Sequence, residues 1–154
     1  MSDYVCGNTT EINTTKIKTQ AAPSGKDRLD QFVRARALFS LDLMIHHCKR
    51  LDLLFREHRL KNNQEQPLDT QGFDATDSCL VCYWMNGEGH TLFGLYRSYA
   101  ALVTSHQHYH DLVLDFRTAQ KQAADPAQSH NLQTQLHQAL KQTTEQLRHL
   151  RALA

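Results

Sequence analysis

The chain has 154 residues, 40% of them hydrophobic and 21% charged, with a formal net charge of +1. These values fit one ordinary globular domain with a modest core, and they leave no broad basic face for nucleic acid or an anionic membrane surface. No apolar run approaches the ~20 residues of a membrane span, and the first residues, MSDYVCGNTTEIN, have no signal-peptide core. A cytoplasmic protein is expected.

Residues 1–26 are polar, rich in Thr, Asn and Lys, and include Pro23-Ser24-Gly25, so they read as a flexible tail. From Asp27 the pattern changes, and residues 27–154 read as the folded unit. Leu29, Phe32, Val33, Leu38, Leu41, Met44, Ile45, Leu51, Leu54 and Phe55 recur at helical spacing, predicting a helix from about Asp27 to Asn62. Asn62-Asn63 and Pro67 end it, and Gln64–Asp77 reads as a loop. A short apolar piece, SCLVCYWM, follows and is closed by Asn86-Gly87-Glu88-Gly89, whose glycines mark a turn. A second long helix is predicted from about Leu95 to Ala123. Asp125-Pro126 then restarts the chain as an N-cap and a first-turn proline. The last helix carries Leu132, Leu136, Leu140, Leu147 and Leu150. Almost nothing reads as strand. The fold class expected is all-α, an antiparallel bundle of about four long helices plus a short helical segment bearing the cysteines.

The chain holds ten histidines and four cysteines: Cys6, Cys48, Cys79 and Cys82. In a cytoplasmic setting such cysteines point to metal or redox chemistry rather than a disulfide framework. The stretch TSHQHYHDL places His106, His108 and His110 close together. On a helix, His106 and His110 share a face at the HxxxH spacing that lets two imidazoles bind one metal ion, while His108 points away. The first helix adds His46-His47, and His47 shares a face with Leu43, Leu51 and Leu54, which is expected to point into the bundle. A buried imidazole needs a partner at each nitrogen, and a metal supplies one. Cys79 adds a thiolate, the strongest zinc donor among side chains. Three histidines and one cysteine make a tetrahedral set suited to zinc in a closed structural or sensing site.

The run CLVCYW (Cys79–Trp84), followed by NGEG, a bundle helix and HQHYH, resembles the chemoreceptor zinc-binding domain family. That family carries a histidine on its first helix, a C-x-[LF]-G-x-W motif and an HxxxH pair. The resemblance covers about Phe39–Phe116 and implies zinc bound by His47 (with His46 as runner-up), Cys79, His106 and His110, with Trp84 as the packing tryptophan of the motif. The interval from Cys79 to His106 also fits. Two departures stand out. The family's tryptophan three residues after its first histidine is Arg50 here, counted from His47. Its motif glycine is Cys82, which reads as a small packing residue, a redox partner for an oxidised Cys79, or a substitute zinc ligand. Cys48 reads as a packing residue, and Cys6 as uninvolved.

The resemblance implies a zinc-binding regulatory module rather than an enzyme, responding to zinc or to oxidants such as hypochlorous acid. It further implies a homodimer and a signalling partner from a chemotaxis or cyclic-di-GMP system. The leucine row of the last helix fits either a dimer interface or an intramolecular core. Competing readings are a helical interaction module without metal and a hemerythrin-like di-iron bundle. The latter needs inward carboxylates, and at the helical step after His47 and His106 stand Leu51 and His110. No HExxH supports a zinc hydrolase, and Cys79-x-x-Cys82 lacks the βαβ setting of a thioredoxin-like oxidoreductase.

Overall fold

The structure is a computed structural model that describes residues 24–61, 79–122 and 125–154, with the backbone alone over 58–61. The expected tail up to residue 23, Cys6, and the expected loop Gln64–Asp77 lie outside the described residues. All described elements are helical: α1 (Gly25–Lys61), α2 (Leu80–Trp84), a π-helical turn (Met85–Gly89), α3 (His90–Phe93), α4 (Arg97–Lys121) and α5 (Pro126–Leu153). The protein is an all-α bundle. Its three long helices pack together, and the broken segment α2–α3 takes the fourth place.

The first helix starts inside the stretch that the sequence assigns to the tail. Ser24 caps it: the Ser24 Oγ accepts from the Asp27 amide at 3.2 Å and donates to Asp27 Oδ2 at 2.7 Å, while the Ser24 amide donates to the same carboxylate at 3.0 Å. This reciprocal box satisfies helix-end donors that would otherwise be left unpaired, and it holds the Asp27 carboxyl below its usual range. The restart expected at Asp125 forms as such, with Asp125 Oδ1 accepting from the Ala127 amide at 3.1 Å and Pro126 in the first turn.

Two cross-helix contacts show the direction of packing. Asp42 on α1 accepts from Arg151 Nε on α5 at 2.6 Å, and Asp52 meets His137, so α1 and α5 run antiparallel. Leu136, Leu140, Leu147 and Leu150 are almost completely buried within this chain. The leucine row therefore serves the intramolecular core, where truncating one such side chain costs roughly 2–5 kcal/mol.

On α1 the buried positions are Ala37, Ser40, Leu41, Met44, Ile45, Cys48, Leu51 and Phe55. Leu43 and Leu54, which were expected to face inward with His47, are 44% and 37% exposed. The phase differs because Cys48, not His47, occupies the inward position of its turn. The turn expected at Asn86–Gly89 is instead a π-helical continuation. Gly89 is needed there for close approach, since a Cβ would lie 2.7 Å from the Trp84 ring. The Tyr99 hydroxyl donates to the Met85 carbonyl and ties this segment to α4. No described helix is long and apolar enough to cross a membrane.

Candidate metal centre

Two short helical stretches meet at the centre. On α4, His106 and His110 stand one turn apart on the buried face, and both rings are almost fully enclosed. Opposite them, Cys79 has extended backbone as the N-cap of α2, and its carbonyl accepts the first helical bond from the Tyr83 amide at 2.9 Å. Cys82 follows one turn on, so the CxxC spacing sets both thiols toward the HxxxH pair.

Four donor atoms converge. Cys79 Sγ lies 3.2 Å from His106 Nε2, Cys82 Sγ lies 3.2 Å from His110 Nε2, and the two Nε2 atoms are 3.2 Å apart. All four lie within 4.8 Å of one another. Around a tetrahedral zinc ion the donors would be about 3.3 Å apart for two nitrogens and about 3.6 Å for nitrogen and sulfur, from the usual bond lengths. Those three separations match such an ion to within a few tenths of an ångström, and the widest of the remaining pairs, within 4.8 Å, would close by up to about 1 Å on binding it. The imidazole planes of His106 and His110 cross at 84°. With Nε2 as the donor, each ring carries its proton on Nδ1, and neither Nδ1 has a hydrogen-bond partner among the described residues. The group includes no carboxylate, the ligand that a di-iron centre requires.

The electrostatics separate the cysteines. Cys79 is held well below the ordinary thiol value, first by its hydrogen bond with Cys82 and then by His106 and His110, against the opposing effect of burial. Cys82 is pushed up by the same bond and by burial. Cys48 differs: burial, and then the charge of Cys79, push its thiol up to about 12, leaving a neutral packing residue as the sequence indicated. Tyr109 stacks on His106 with ring centroids 5.6 Å apart. Its buried hydroxyl, also without a partner among the described residues, is pushed above the usual phenol value by burial first.

Of the expected ligands, Cys79, His106 and His110 come together, and Cys82 joins them. His47, expected as the first-helix ligand, is not among the four. It stands beside them, half-buried, where burial lowers its pKa and the nearby Cys79 opposes that shift. His46 and His108 are exposed. Trp84 is buried against Phe93, with ring centroids 6.2 Å apart, and braces the cysteine segment from behind. The signal for Cys82 was the CxxC spacing itself, which the comparison with a glycine-bearing motif obscured. No protein-family model, curated protein or solved structure gives a significant match to the chain, so the reading of the centre rests on its own residues.

Proposed function

We propose that the chain is a zinc-binding regulatory module, related to the chemoreceptor zinc-binding domains, in which Cys79, Cys82, His106 and His110 hold one zinc ion. The observation that carries this reading is the convergence of two Sγ and two Nε2 atoms within 4.8 Å inside the bundle. Four protein donors complete a tetrahedral shell and leave no position for a substrate, which favours sensing over catalysis. Bound zinc would keep both thiols ionised at neutral pH and join the α2 segment to α4.

Two inputs act on these residues. Scarcity of zinc frees the cysteine segment from the histidine pair. A two-electron oxidant reaches the same end through the sulfurs: two thiolates and hypochlorous acid give a Cys79–Cys82 disulfide, chloride and hydroxide. Either event changes how α2–α3 is held against the long helices. The resemblance supports a chemotaxis or cyclic-di-GMP signalling protein as the partner that reads this change.

Elemental analysis of the purified chain tests the reading. About one zinc per chain is expected, with loss or weakening in Cys79→Ser. No zinc after metal loading would leave a helical interaction module as the better account.

A further inference from the structure

The groove between α1 and α5 collects positive charge that the fold does not neutralise. Its walls hold Lys49, Asp52 and Arg56 from α1 and His137, Lys141 and Arg148 from α5, around a cavity of about 330 Å³. The floor is Cys48, Leu140 and Thr144, all buried. One carboxylate stands against four permanent cations, and it is already engaged: Asp52 accepts from Arg56 at 2.9 Å and from His137 Nδ1. Lys49, Lys141 and Arg148 form no ion pair among the described residues. Glu145 lies one turn from both Lys141 and Arg148 along α5, yet it pairs with neither and does not line the cavity.

The helix register puts these cations together. With Asp42 against Arg151 and Asp52 against His137, Lys49 of α1 comes level with Lys141 of α5. Arg148 follows Lys141 by seven residues, two turns on one helix face and roughly 10 Å along it. Like charges held within about 10 Å of one another repel, and a bound anion converts that repulsion into attraction.

We propose that this groove binds a small phosphorylated molecule, with its phosphate held among Lys49, Lys141 and Arg148. A phosphate monoester offers a charge near −2 and three acceptor oxygens, so several cations can share it, whereas a carboxylate has one charge and two oxygens. The planar guanidinium of Arg148 can donate to two oxygens of one phosphate, and the two ammonium groups act as point charges on the rest. The Thr144 hydroxyl is spent on the Leu140 carbonyl at 2.8 Å, so the anchoring falls to the cations. The cavity lies at the lower end of the ~300–1,000 Å³ that small-molecule sites occupy, which leaves room beside the phosphate for a small organic body over Cys48 and Leu140. The proposal stands apart from the metal reading, since none of the four metal-site residues lines the groove.

Heteronuclear NMR of the full chain as purified tests it, with glycerol 2-phosphate as the probe and glycerol as the uncharged control. Saturable shifts of the Lys49, Lys141 and Arg148 amides are expected with the probe and not with glycerol. Lys141→Gln and Arg148→Gln should each weaken binding by at least about tenfold, as loss of one charged hydrogen bond does. Arg97→Gln, which removes an exposed cation of α4 outside the cavity, should bind as the wild type does. All three positions are exposed on helices and glutamine is a good helix former, so far-ultraviolet circular dichroism should be unchanged. No saturable shift in the wild type overturns the proposal, as do shifts that glycerol reproduces. Binding that survives both groove variants, or that weakens equally in Arg97→Gln, overturns it as well.

Discussion

Cys82 Sγ stands 3.2 Å from His110 Nε2, the same separation that Cys79 Sγ keeps from His106 Nε2. The match follows from helix geometry. The CxxC step and the HxxxH step each advance about one turn, roughly 5 Å, so two helical turns lie side by side and each thiol faces one imidazole. A glycine at position 82 would leave the second rung with a histidine and no sulfur. The second cysteine therefore changes the composition of the centre, and His47 is left beside it.

The ligand assignment predicts different costs for two substitutions. Cys82→Ser should weaken zinc binding by at least about 100-fold, more than the loss of an outer-shell group. His47→Ala should change it by no more than a few-fold. Competition with a chromophoric chelator measures both, and a larger loss in His47→Ala would make that histidine the fourth ligand.

Metal binding should expel a proton. The hydrogen bond between the two sulfurs holds the Cys79 thiol below its ordinary value and pushes that of Cys82 up, so Cys82 is the sulfur that gives up its proton less readily. Zinc requires both sulfurs as thiolates, so affinity should rise with pH by up to about tenfold per unit while the pair keeps its proton. Calorimetry near neutral pH in two buffers of different ionisation enthalpy should find about one proton released per zinc from this pair. Proton-neutral binding at constant affinity would remove the thiols from the ligand set.

Much of this arrangement is legible in the residues. The helical class follows from apolar periodicity, the start of α5 from Asp125-Pro126, and the histidine pair from HxxxH. The phase of α1 is not, because two apolar stripes interleave on one helix and periodicity does not say which one is buried. Leu43 and Leu54 belong to the exposed side, while Cys48 turns inward. The cap at Ser24 lies within polar residues whose composition resembles a tail. Gly87 and Gly89 resemble a turn signal, yet one of them is a packing requirement of Trp84.

Those two glycines give a paired prediction. At Gly89 a Cβ would meet the Trp84 ring at 2.7 Å, and the ring is held by Phe93 behind it, so neither side gives way readily. Gly89→Ala should cost about 1–3 kcal/mol, the usual range for overpacking. At Gly87 nothing lies within 4 Å of the added carbon. Gly87→Ala should be neutral or stabilise by up to about 1 kcal/mol through helix propensity. Chemical denaturation of the two variants under one metal condition reads the difference, and equal effects would contradict the close approach of Trp84.

Oxidation should select the same two sulfurs. Cys48 is fully buried, with its thiol pushed up to about 12 by burial, so it has little thiolate to react. Cys79 has the thiolate, and Cys82 is within 4.8 Å to complete a disulfide. One equivalent of hypochlorous acid should lower the mass of the zinc-loaded chain by about 2 Da, counted as free thiols, and release zinc to a chelating dye. Peptide mapping should place the bond between Cys79 and Cys82. In Cys82→Ser the second sulfur is missing, so Cys79 should stop at a sulfenic acid, about 16 Da heavier and open to a carbon nucleophile such as dimedone. A disulfide involving Cys48, or zinc release without any change at Cys79, would show that the oxidant acts elsewhere in the chain.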